Sequence, residues 1–123
     1  MTNLYFWANA VIYCLFALWC TVGKEKTSLA SGFTGINNSG WSEYLVIYGG
    51  LQIGLAAFFL YLAVHSEFTK IGLIFSIFLY FPIVVYRVVT IYKFRPVSTT
   101  TLSVGGMEIA LLIWASVLTL TKS

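Results

Sequence analysis

Residues Ser42 to Val64 read SEYLVIYGGLQIGLAAFFLYLAV, a run as apolar as lipid that nevertheless holds one carboxylate, Glu43, and a glycine pair, Gly49 and Gly50. An α-helix rises 1.5 Å per residue, so about 20 apolar residues cross the roughly 30 Å of hydrocarbon in a bilayer. This run is long enough to cross. A carboxylate near lipid is costly, and each glycine weakens an isolated helix by roughly 1 kcal/mol relative to alanine. Both features therefore call for a physical reason.

The remainder of the chain has the same character. Of 123 residues, 59% are hydrophobic and only 9% are charged, and the mean hydropathy is +0.89, which excludes an ordinary water-soluble domain. Four spans are predicted, at residues 3–22, 43–64, 69–92 and 101–120, within a single domain covering 1–123. The first span has no basic leader or small-residue cleavage site and opens on Tyr5, Phe6 and Trp7, so it reads as a retained helix. Trp41, Tyr92 and Phe94 mark the edges of later spans, as an interfacial aromatic belt requires. Backbone polar groups cannot go unpaired in lipid, so the fold class is all-α, a polytopic membrane bundle. The short connections His65 to Lys70 and Lys93 to Thr100 imply antiparallel neighbours and an up-down-up-down order.

The net charge of +3 does not signal nucleic acid, because seven basic residues scattered around hydrophobic spans build no basic face. Their distribution bears on orientation instead. Lys24, Lys26, Lys93 and Arg95 fall on one face of the bundle, and Lys70 and Lys122 on the other. The positive-inside rule then puts the 22–42 and 93–100 connections in the cytoplasm. Cys14 and Cys20 lie six residues apart on one helix, point to opposite sides and cannot bridge each other. His65 has no companion ligands at metal spacing, so neither a metal nor a cofactor is expected.

Gly50 and Gly54 form a GxxxG, extended by Ala57, and small residues of this kind let a second helix approach closely. Gly49, Gly50, Gly54 and, on the fourth span, Gly106 are read as packing positions within one bundle, with a homodimer as the other use of the motif. The charges within the spans carry more information. Glu43, Arg87 and Glu108 fall toward the same face, and Arg87 and Glu108 both lie about 8 to 10 Å inside the boundary. Arg87 and Glu108 are expected to pair, with Glu43 and Tyr48 close enough to complete a polar cluster. That cluster serves either helix register or binding, and the residues alone do not separate the two.

Glu43, the Tyr48-Gly49-Gly50-Leu51 core, Arg87 late in the third span and Glu108 early in the fourth together resemble a bacterial membrane family, domain of unknown function 4345, over nearly the whole chain. The arginine that usually follows the glutamate in that family is replaced here by Tyr44, Leu45 and Val46. The resemblance implies a small integral protein of a bacterial inner membrane and no particular activity.

Two function classes fit this reading. One is a non-enzymatic binder of lipid or lipophile, or an accessory subunit of a larger membrane complex, in either case surrounded by membrane lipids. The alternative is a small membrane enzyme with isomerase-like acid/base chemistry at Glu43 or Glu108, or a proton-coupled carrier, acting on a hydrophobic substrate. No phosphate loop, nucleophile constellation or cofactor motif supports the second class. The orientation is open to a direct check. A periplasm-dependent alkaline phosphatase fused at Ser123 should be active, and an active cytoplasmic reporter at that position would reverse the assignment.

Overall fold

A computed structural model of the chain describes residues 2–122, without the side chain of Lys122; Met1 and Ser123 lie outside the described residues. Among the described residues every regular element is helical. The helices are α1 (Thr2–Val22), α2 (Lys24–Ala30), α3 (Asn38–Leu45), α4 (Gln52–Val64), α5 (Thr69–Lys93) and α6 (Thr99–Lys122). Four stretches are long and apolar enough to cross a membrane: Thr2–Val22, Asn38–Val64, Ser66–Lys93 and Thr99–Thr121. The protein is an integral membrane protein.

The second span departs from expectation in an instructive way. It begins at Asn38, five residues before Glu43, because the Asn37 side chain accepts a hydrogen bond from Gly40 N at 2.8 Å and starts the helix there. It is also not uniformly α-helical, since Val46–Leu51 forms a π-helical turn between α3 and α4. A π turn widens the helix by one residue and rotates the faces on either side of it. Inward positions therefore run through Gly49, Gln52, Ala56, Phe59 and Ala63. The connection before this span is partly ordered as α2, which Thr27 and Tyr44 tie to α3 through a 2.8 Å hydrogen bond between their hydroxyls.

This register corrects the glycine reading. A Cβ at Gly49 would lie 2.9 Å from Thr21 Oγ1, so Gly49 does let α1 approach. Gly50, Gly54 and Gly106 do not pack, because nothing lies within 4 Å of a Cβ at any of the three and they face outward. The close approaches occur elsewhere. A Cβ at Gly72 would meet Phe6 Cζ at 2.8 Å and Leu62 Cδ1 at 2.9 Å, and one at Gly105 would meet Arg87 Cγ at 3.1 Å.

The core occupies only one half of the bundle. Tyr5, Phe6, Ala10 and Tyr13 of α1 meet Phe59, Leu62 and Ala63 of α4, Leu73 and Tyr80 of α5, and Leu111, Ala115 and Leu118 of α6. Aromatic rings fill it: Tyr5 stands edge-on to Trp114 at 5.2 Å, and Tyr13 stacks on Phe59 at 5.9 Å. The outer surface keeps large apolar side chains exposed on all four spans, including Leu15, Leu60, Phe78 and Ile113, which suits contact with acyl chains. Cys14 is exposed and Cys20 buried, and both are free. Pro82, lacking an N–H, interrupts the hydrogen-bond ladder of α5 between Tyr80 and Arg87.

The glycine geometry has a measurable consequence. Gly72→Val should cost about 1–3 kcal/mol by overpacking against Phe6 and Leu62, whereas Gly54→Ala should be neutral or stabilising by up to about 1 kcal/mol. Thermal unfolding in detergent reads both, and a destabilised Gly54→Ala would show that Gly54 is a packing position after all.

Candidate functional site

Beyond Tyr13 and Tyr80 a cavity of about 910 Å³ opens among the four spans. Its walls are Tyr13 to Cys20 of α1, Ile47 to Leu55 of the second span, Leu79 to Phe94 around α5, and Thr100 to Glu108 of α6. Thr27, Ala30 and Ser31, in and just after α2, also border it. Ser98 Oγ donates to Ala30 O at 3.3 Å, which ties the connection before α6 to the end of α2. Much of the wall is apolar, with Phe16, Leu55, Leu79, Ile83, Val104 and Met107 among its members.

Arg87 and Glu108 meet on this wall as a two-pronged ion pair. Arg87 Nε donates to Glu108 Oε1 at 2.8 Å, and an outer guanidinium nitrogen donates to Oε2 at 3.2 Å. Each side chain is partly buried, with 29% of Arg87 and 13% of Glu108 exposed. Gly105 permits the contact: it sits one turn before Glu108 on α6, and any side chain there would press on the arginine stem. A parallel, two-point arrangement of this kind fixes orientation as well as energy. It neutralises a guanidinium and a carboxylate whose separate burial would each cost several kcal/mol.

The other two residues of the expected cluster divide. Tyr48 lines the same cavity as Arg87 and Glu108, stacked on Tyr44 at 4.6 Å with Phe33 edge-on at 6.0 Å. Glu43 is exposed and does not reach the pair. It borders a smaller recess of about 420 Å³ with Ile36 and Asn37, which adjoins the cavity at Phe33, Ile47 and Tyr48. The reason is local. With the helix starting at Asn38 and widening at Val46, Glu43 is turned out of the bundle while Tyr44 and Tyr48 turn in.

A second polar group, not expected from the sequence, closes the inner end of the cavity. Tyr80 donates its hydroxyl to Asn9 Oδ1, and Asn9 Nδ2 donates to Tyr5 O at 2.9 Å. Asn9, Tyr5 and Ser76 are fully enclosed, and Ser76 Oγ donates to Gly72 O at 2.9 Å. The Tyr5 hydroxyl is buried beside the Asn9 and Ser76 side chains. The available signal was Asn9 itself, an amide in the first span at i+4 from Tyr5, since an uncharged polar residue in lipid also needs a partner. No group of three or more His, Cys, Asp or Glu suited to a metal occurs among the described residues.

Comparison with family models, with curated proteins and with solved structures returns no match for this chain. The chemistry of the site therefore rests on the geometry alone. Arg87→Leu should destabilise the protein by about 2–3 kcal/mol, below the 3–5 kcal/mol typical of a fully enclosed pair because both side chains stay partly exposed. Arg87→Leu combined with Glu108→Leu should recover part of that loss, with a coupling of about 1–3 kcal/mol in a double-mutant cycle. Strictly additive losses would show that the pair contributes nothing as a pair.

Proposed function

We propose that this is a non-enzymatic membrane protein that binds a lipophile between its spans, with Arg87, Glu108 and Tyr48 as the polar seat for the head of the ligand and the apolar wall as the seat for its chain. The observation that carries the reading is the coincidence of the ion pair with the cavity. A pair serving helix register alone has no need of a void beside it, whereas here about 910 Å³ adjoins it. That volume lies within the range of roughly 300–1,000 Å³ typical of small-molecule sites, and the few polar groups on a mostly apolar wall match their usual composition.

The same reading takes the spans as alternating across a bacterial inner membrane, with the end that carries α2 toward the cytoplasm. Lys24 lies 4.7 Å over the Trp41 ring and Arg95 4.7 Å over that of Tyr92, both at that end, which suits basic and aromatic side chains at an interface. Membership of the family of domain of unknown function 4345 is part of the proposal and rests on Glu43, Tyr48 to Leu51, Arg87 and Glu108.

Purification in a mild detergent followed by mass spectrometry should find a small lipophilic molecule retained at close to one per chain. Leu55→Trp together with Met107→Trp, which fills the cavity from opposite walls, should abolish retention while leaving the helical circular dichroism unchanged. A co-purifying protein at fixed stoichiometry with no retained small molecule would favour an accessory subunit and sink the binding role.

A further inference from the structure

The charge arithmetic of the cavity narrows what it accepts. Among the described residues, Arg87 and Glu108 are the only Lys, Arg, Asp or Glu that border it; Lys24, Lys26, Lys93 and Arg95 do not. The pair is satisfied internally, so the wall carries no net charge. An arginine has five N–H donors, and Glu108 engages two of them, which leaves three. With 29% of its side chain exposed, Arg87 has surface to offer a ligand, while Glu108, at 13%, has less. The seat is thus a cluster of hydrogen-bond donors held at zero net charge.

The inner end is built on the same terms. Tyr80 is seven residues from Arg87 on α5, two helical turns, which places them on one face of the helix about 10 Å apart. The Tyr80 hydroxyl is spent as a donor on Asn9, and Tyr80 is all but enclosed, with Tyr13 beside it on the wall. Neither end of the space therefore carries a net charge, and Leu79 and Ile83 lie between Tyr80 and Arg87 on that wall.

From this we infer that the cavity, taken as the lipophile site proposed above, selects an uncharged amphiphile whose head accepts hydrogen bonds, such as the glyceryl ester of a single-chain glyceride, and discriminates against the free fatty acid anion of the same chain. The physical cause is the fixed carboxylate. A second carboxylate brought to Arg87 would lie against Glu108, meeting like charge where the guanidinium is already neutralised, and would lose its water as well. An ester carbonyl takes up the spare N–H donors with neither cost. Glu108 is then the residue that sets head-group class, and Arg87 the one that holds the head.

The test compares two probes with the same acyl chain, 1-oleoylglycerol and oleate, each titrated at pH 9 against the full chain in detergent by competition with a fluorescent acyl probe. The glyceride should bind at least ten-fold more tightly than oleate. Glu108→Gln, which removes the carboxylate and leaves Arg87 charged, should shift the preference at least ten-fold toward oleate. Arg87→Gln combined with Glu108→Gln should weaken glyceride binding without creating any preference for oleate. Oleate binding to the unaltered protein as tightly as the glyceride would overturn the selectivity while leaving lipophile binding intact, and so would an unchanged preference in Glu108→Gln. If neither probe nor the fluorescent acyl chain binds, the lipophile site itself falls and the selectivity with it.

Discussion

The close approach at Gly72 governs the shape of the protein. With no side chain at that position, α5 comes near enough for Phe6 and Leu62 to lie against its backbone, and rings from Tyr5, Phe59 and Trp114 fill in around them. Lipid surrounds the exterior, so burying apolar surface gains little, and what holds the spans together is tight van der Waals fit and the few polar contacts between them. The tightest such fit is the one at Gly72, with further approaches of Gly49 to Thr21 and Gly105 to Arg87 at the other end of the bundle. Between these approaches the cavity opens among the four spans.

Polar groups stand where that space begins and where it ends. Asn9 and Tyr80 join α1 to α5 at the inner limit of the cavity, and Arg87 and Glu108 join α5 to α6 about two turns further along α5. Each contact is made between spans rather than within one, so each also fixes helix rotation. In lipid an unpartnered amide or guanidinium has no water to turn to, so these pairs hold the walls of an open space in register. In the proposed function, binding and architecture are two uses of the same side chains.

Much of this was legible in the sequence, and what was not has specific physical causes. Four spans follow from length and apolarity, which act over about 20 residues and tolerate errors of a few positions. The depths of Arg87 and Glu108 follow from helix rise along two adjacent spans, and the structure brings those two residues together. Rotation about the helix axis is a finer property. The π turn at Val46–Leu51 has no clear sequence mark, and it turned Gly49 inward, left Gly50 and Gly54 facing out, and set Glu43 apart from the pair. Asn9 was legible in principle, but uncharged polar residues stand out less than charged ones in an apolar run. The cavity was not legible at all, because an absence of contact leaves no pattern in the chain.

That space between the spans is the feature from which the functional reading grows, and photolabelling tests it most directly. A fatty acyl probe carrying a diazirine in mid-chain, incorporated into bilayers with the protein and activated by light, attaches to whatever side chains surround it. Attachment to Leu55, Leu79 and Met107, which face the cavity, together with the general labelling of Phe78 and Ile113 on the lipid-exposed surface, is the expected result. Labelling confined to the outer surface would mean that no acyl chain enters between the spans, and would contradict the reading.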